Sequence, residues 1–143
     1  MTKLAAIYER KGALFISASH QTKAGFWIDD EEVVTLIQPS AEELGGAVEA
    51  ALARSTEGVP TPPPTARIER PLLKAAGVGS WATFMNLSRH VGISSEHGVV
   101  KLTPYRNLGS KGGFEPDTDM IIPAPMCSAM LGQMVADLLS RSG

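Results

Sequence analysis

Hydrophobic positions fall in short runs through the first third of the chain and at helical spacing in two later segments. Leu4–Tyr8 and Ala13–Ala18 are brief, strand-forming runs around Glu9-Arg10-Lys11-Gly12. This spacing predicts a β-hairpin with Gly12 at positive φ. Gly25–Ile28 and Val33–Ile37 read as a second strand pair, bent at Asp29–Glu32. Ser40 and Glu43 form the S-x-x-E capping box of a helix. Leu44, Ala47, Val48, Ala51 and Leu52 then line one face of it. Gly45-Gly46 inside that helix cost about 1 kcal/mol each against alanine, so close packing of the turn on the sheet is expected.

Downstream, Glu57–Ala66 carries Pro60, Pro62, Pro63 and Pro64 and reads as a stiff extended crossover. Pro71–Ala76 predicts a short helix ending at Gly77, and Ser80 caps another over Trp81–Leu87. Arg89–Ser94 and Val99–Thr103 form a hairpin around Ser95–Gly98. A segment rich in glycine and proline, Thr103–Pro116, reads as a long loop of recognition rather than catalysis. Met120–Ile122 is a candidate edge strand, and a final helix runs from about Ser128 to Leu139. The wide stripe of that helix (Met130, Leu131, Met134, Val135, Leu138, Leu139) belongs to a helix lying on a sheet. The order of elements predicts an α+β fold, a mostly antiparallel sheet covered by helices, as a single domain over 1–143.

Composition narrows the function classes. With 143 residues, 43% hydrophobic and 20% charged, the chain is globular and large enough for a core. The opening MTKLAAIYERKG has no apolar run long enough for a signal peptide, and no stretch is long enough to span a bilayer. The expectation is a cytoplasmic protein with no membrane partner and its single cysteine, Cys127, reduced and core-filling. The net charge of −2 hides an asymmetry. Asp29 to Glu57 holds eight acids and one base, and Arg67 to Lys111 seven bases and two acids. The acidic region suits a basic partner, and the overall acidity argues against direct nucleic-acid binding.

Catalytic signatures are missing. His20, His90 and His97 have no metal-ligand spacing, and there is no cysteine pair. Gly109–Gly113 lacks the order of a phosphate loop, since its lysine precedes the glycines and no Ser/Thr follows. Asp29–Glu32 lacks the alternation and glycine of a calcium loop. Phe26, Trp27, Trp81, Phe84 and Met85 sit at core-like positions. The sequence therefore predicts no enzyme activity, no cofactor and no metal.

Several segments, in order along the chain, resemble the immunity proteins of contact-dependent growth inhibition (CDI) systems, of the kind found in Burkholderia-like bacteria. They are Lys3–Tyr8, Thr22–Ile28, Glu57–Pro60, Leu73–Val78 with Ser80-Trp81 and Phe84, and Arg106–Gly109 with Gly113–Pro116. The resemblance implies a cytosolic protein without catalysis that binds the C-terminal toxin domain of a CDI effector. The expected partner is a nuclease, often acting on tRNA, bound as a 1:1 heterodimer. On charge, the surface to face its basic groove is Asp29, Asp30, Glu31, Glu32, Glu42 and Glu43. In this reading Arg106–Pro116 is scaffold, with Arg106 and Asn107 bonding to backbone and Phe114 anchoring the loop. Two other classes are open: an enzyme or ligand-binding domain with a pocket under the 104–116 loop, and a nucleic-acid adaptor using Arg67–Lys111 with Trp81 or Tyr105 stacking on bases.

Overall fold

The computed structural model describes residues 2–118, 121–124 and 127–141. Its centre is two hairpins laid side by side. Strands β1 (Lys3–Arg10) and β2 (Ala13–Thr22) are joined by Lys11-Gly12, with φ of 52° and 82°. His97 and Gly98, at 51° and 79°, later play the same part in the second hairpin. Two consecutive residues at positive φ match the right-handed twist of the flanking strands, and glycine takes the second position without steric cost. The first helix, α1 (Ala41–Arg54), separates the hairpins in sequence, together with a parallel strand β5 (Thr56–Val59) and two short helices, α2 (Arg70–Ala76) and α3 (Trp81–Met85). The second hairpin is β6 (Ser88–Glu96) with β7 (Val99–Asn107). β1 pairs antiparallel with β6 from Lys3↔Ser95 to Arg10↔Ser88, so the chain's first strand lies in the middle of the sheet.

The sheet edges are built from short pieces. β3 (Trp27–Asp29) and β4 (Val34–Ile37) do not form the expected pair. Both lie on the outer side of β2, at Ser19–Gln21 and Ala13–Ile16. The Asp30 N–H, bonded to the Ala18 carbonyl at 2.7 Å, keeps the connecting bend on β2, so the two segments follow one partner in succession. β5 runs parallel to β2 where β1 begins. Ser55, fully buried, joins the three: its Oγ donates to the Ser19 carbonyl (2.6 Å) and accepts from the Leu4 N–H (3.0 Å). On the far side, β8 (Phe114–Pro116) and β9 (Ile122–Ala124) pair with β7. The strand expected at Met120–Ile122 thus lies at Ile122–Ala124, and Met120 falls outside the described residues.

One face of the sheet carries the main core. Ala5, Ile7, Leu14, Ile16, Val91, Ile93 and Leu102 meet α1 and the last helix, α5 (Ser128–Arg141). The capping box of α1 is present: the Glu43 N–H donates to Ser40 Oγ (3.1 Å) and the Ser40 N–H to Glu43 Oε1 (3.2 Å). The α5 stripe is narrower than predicted, because Met130 is exposed. Gly45 does not meet the sheet. A Cβ there would lie 1.6 Å from the Ser128 carbonyl oxygen of α5, and one on Gly132 would lie 1.8 Å from the Ala41 carbonyl oxygen of α1. The two helices therefore cross backbone to backbone, with glycine on each side. Gly46 has open space around it.

The opposite face holds a second cluster under α2 and α3, where Phe84, Leu72 and Leu73 pack on Phe15 and Ala6. The predicted long loop Thr103–Pro116 is mostly regular structure. β7 continues to Asn107, one helical turn follows as α4 (Gly109–Gly112), and β8 returns along β7. Pro104 is no obstacle, because its missing donor falls at a sheet edge shared by two short strands. Asn107 Nδ2 donates to the carbonyls of Met85 (2.6 Å) and Ser88 (2.9 Å), tying the hairpin to α3. Among the described residues Arg106 does not bond to backbone; it pairs with the exposed Glu115 at 3.3 Å. Phe114 is half-buried against Tyr8, Trp81 and His90. Phe114→Ala should cost about 2 kcal/mol, below the range for a fully buried phenylalanine. A denaturation midpoint equal to wild type would show that the ring anchors nothing. Trp27 is half-buried and belongs to neither cluster, and two further expected core residues lie outside the core. Cys127 is exposed, one residue before α5, where its carbonyl accepts from Leu131 N–H. Phe26 is 47% exposed, because it closes a tight turn ahead of an edge strand.

Candidate functional site

The polar residues of the second face collect where α2 and α3 leave it open. Strand register builds the centre. Tyr8 on β1 pairs with His90 on β6, which pairs with Tyr105 on β7. Their rings stack across the three strands, with centroids 4.2 Å apart on each side of the histidine. His90 is buried, and its Nδ1–H donates to the Ile7 carbonyl at 2.9 Å. Burial lowers its pKa to about 4, so the ring is neutral at physiological pH.

Asp29 reaches the same spot from β3. Its register partner Ser19 donates to Oδ1 (3.0 Å), and the Tyr8 hydroxyl donates to Oδ2 (3.3 Å). Burial pushes the Asp29 carboxyl up, and the two hydroxyls partly offset this by stabilising the anion. Burial, then the Asp29 charge, pushes the Tyr8 hydroxyl well above its ordinary value, so it stays a donor. The Tyr8–Asp29 pair stands between two depressions. The larger, about 550 Å³, lies between β3 and the two short helices, with Trp27, Trp81, Asp30 and Glu69 in its walls. The smaller, about 210 Å³, runs over Gly92, Ser94 and Thr103 toward Tyr105.

The six acids expected to face a partner fall in two groups. Asp30 is half-buried and pairs with His20 (3.4 Å) and Arg54 (3.9 Å) at the C-terminal end of α1. Glu31 and Glu32 follow, exposed. Glu42 and Glu43 are exposed in the first turn of the same helix. At the rise of an α-helix, the twelve steps from Glu42 to Arg54 span about 18 Å. Glu43 is also engaged in the cap.

His20 has a triad-like neighbourhood. Thr56 Oγ1 lies 2.8 Å from Nδ1, and Asp30 lies beyond Nε2. The Thr56 backbone N–H also donates to Nδ1 (3.2 Å), so that nitrogen is already an acceptor and the group reads as a clip holding β5 to β2. Among the described residues no three His, Cys, Asp or Glu side chains gather as metal ligands, and no helix is long and apolar enough to cross a membrane. The corner beside α4 holds a shallow depression of about 430 Å³, lined by Asn86, Leu87 and Asn107 among others, without an acid or base. Trp81 and Tyr105, candidates for stacking on bases, already stack on Phe84 and His90. The Tyr8–His90–Tyr105 stack was not anticipated, since only the cross-strand register joins positions so distant in sequence.

No protein-family model and no curated protein sequence matches the chain. Two solved structures share its fold along its whole length. One is a protein of unknown function from Neisseria meningitidis, with a TM-score of 0.83 and 19% identity, matched over 100% of this chain and 96% of that one. The other is a chain of the CdiA-CT/CdiI toxin and immunity complex from Yersinia pseudotuberculosis, with a TM-score of 0.75 and 14% identity, over 100% and 98%. Neither comes from Burkholderia-like bacteria, so the likeness does not extend to that finer grouping. The chain has the α+β fold seen in these two proteins.

Proposed function

We propose that this protein is a CDI immunity protein, which binds the C-terminal toxin domain of its cognate effector in the bacterial cytoplasm and neutralises it without catalysis. The observation that carries the reading is the full-length fold likeness to a chain of a toxin–immunity complex. The ordered residue resemblance supports the immunity partner of such a pair. The partner is a nuclease of the tRNase kind, held as a 1:1 heterodimer with its basic groove covered by the acidic surface around Asp29–Glu43. Such an interface buries roughly 1,200–2,000 Å² and gains a fast, salt-sensitive on-rate from its charge. Co-expression should rescue cells from the toxin domain encoded beside this protein, and the two should co-purify. Absence of both would end the proposal.

The acidic surface has its own test. Reversing Asp29 would disturb a half-buried hydrogen-bonded carboxylate, and reversing Glu43 would remove a helix cap. Glu31, Glu32 and Glu42 are exposed and free of those duties. Their joint replacement by lysine should slow toxin association about tenfold at low salt and flatten its salt dependence, with the melting temperature unchanged. Unaltered association kinetics would mean that these acids only solvate the surface.

A further inference from the structure

The larger depression has an unusual balance of groups. Among the described residues, three carboxylates line it, Asp29, Asp30 and Glu69, and no lysine, arginine or histidine does. Two of them are answered from outside. Glu69 pairs with Arg67 at 3.1 Å, and Asp30 with His20 and Arg54. Among the described residues Asp29 accepts only neutral hydroxyls and forms no ion pair, and His20, engaged by Asp30, acts on it only at longer range. A desolvated carboxylate with no cation in contact is costly; burial pushes this one toward its protonated form, and the more distant His20 offsets that only in part. Among the described residues each of its oxygens accepts one hydroxyl, which leaves one lone pair on each for a further donor. Beside it stand the aromatic groups of Trp27, Trp81 and Tyr8.

Two free lone pairs on one carboxylate suit a planar fork of donors, and aromatic walls suit a flat, weakly hydrated cation. Both descriptions fit a guanidinium better than an ammonium. About 550 Å³ exceeds what one such group needs and leaves room for the chain that carries it. The exposed Glu31 and Glu32 adjoin the same bend, and Ile68 lies half exposed in the cleft wall, so the surroundings suit a basic protein surface. We propose that this cleft receives an arginine side chain of a protein partner, its guanidinium held by Asp29 and flanked by Trp27 and Trp81. The identity of that partner rests on the immunity reading; the chemistry of the cleft does not.

The experiment has two arms. In the first, the free protein is titrated with N-acetyl-L-arginine amide and with its neutral isostere, N-acetyl-L-citrulline amide. Both tryptophans of the chain line the cleft, so their fluorescence and indole NMR signals report on it directly. The arginine probe should shift both signals with weak, saturable affinity at least fivefold tighter than the citrulline probe. Asp29→Asn, which preserves size, should abolish that preference. Equal responses to the two probes in the wild-type protein would overturn the proposal whether or not the variant folds. In the second arm, Asp29→Asn should weaken binding of the co-purified toxin domain about tenfold, and one toxin arginine, replaced by alanine, should show no further loss in the variant background. Unchanged toxin affinity would overturn the partner assignment. If the wild-type protein binds no toxin, the immunity reading falls, while the probe titration still decides what the cleft accepts.

Discussion

Gly132→Ala should destabilise the protein by about 3 kcal/mol or more, lowering its melting temperature by roughly 10 °C. The added methyl group would meet the backbone of α1, where the Ala41 carbonyl oxygen and the Gly45 nitrogen already fill the space. No rotamer change relieves a backbone contact, so the helices must part. Their separation would loosen Leu131, Val135, Leu44 and Val48, all fully or almost fully buried between them and the sheet. Against a total stability of about 5–15 kcal/mol, that is a large fraction. Gly45→Ala should behave alike, for a Cβ there meets the Ser128 carbonyl. Gly46→Ala is the control. It sits in the same helix with open space around it, and should be neutral or stabilising by up to about 1 kcal/mol. A melting curve for Gly132→Ala that overlays the wild type would refute the close crossing.

Acidification should weaken the fold through His90. Its folded pKa, about 4, lies below the ordinary 6.5, because the buried ring resists charge. Between these values the unfolded chain binds more protons than the folded one. Stability is therefore complete above about pH 6.5 and is lost as the pH falls toward 4. The loss amounts to about 3 kcal/mol by linkage. Asp29 acts in the opposite sense. Its folded pKa is raised, so falling pH relieves a buried charge as it is protonated, and this tempers the loss at the acid end. Urea denaturation at about pH 7 and about pH 4.5 would measure the difference, with His90→Phe as comparison. The phenylalanine keeps a ring between Tyr8 and Tyr105 but cannot titrate, so its stability should change much less over that interval. An equal pH dependence in both proteins would remove His90 as the cause.

Local signals in the sequence were the ones that carried through. The capping box at Ser40 and Glu43, the Ser80 cap, and the turns at Gly12 and Gly98 depend on neighbours within a few residues, and each forms as expected. Errors arose where a distant partner decides. β3 and β4 read as mates because they are adjacent in sequence, yet both choose β2. Gly45 was recognisable as a packing position, but the helix against it begins more than eighty residues later. Segment 103–116 carried loop-forming residues throughout, and only pairing with β6 and β8 makes its first part a strand. Of the candidate site, Asp29 and Asp30 were visible as acids. The burial of one and the pairing of the other were not, because both follow from register across β2, β3 and β5.

The central position of β1 has a consequence for how the molecule is made. Ser95, which pairs with Lys3, lies 92 residues further along the chain, by 95 − 3. At ordinary ribosomal rates of about 5–20 residues per second, β1 waits roughly 5–20 s for its second neighbour to be synthesised. During that interval the nascent β1–β2 hairpin has an open edge where β6 later pairs, and of the two helices over the main core only α1 has been made. The sheet can close only after β6 and β7 emerge, and the core only after α5, at the end of the chain. Newly made protein thus passes through a slow, aggregation-exposed stage set by topology.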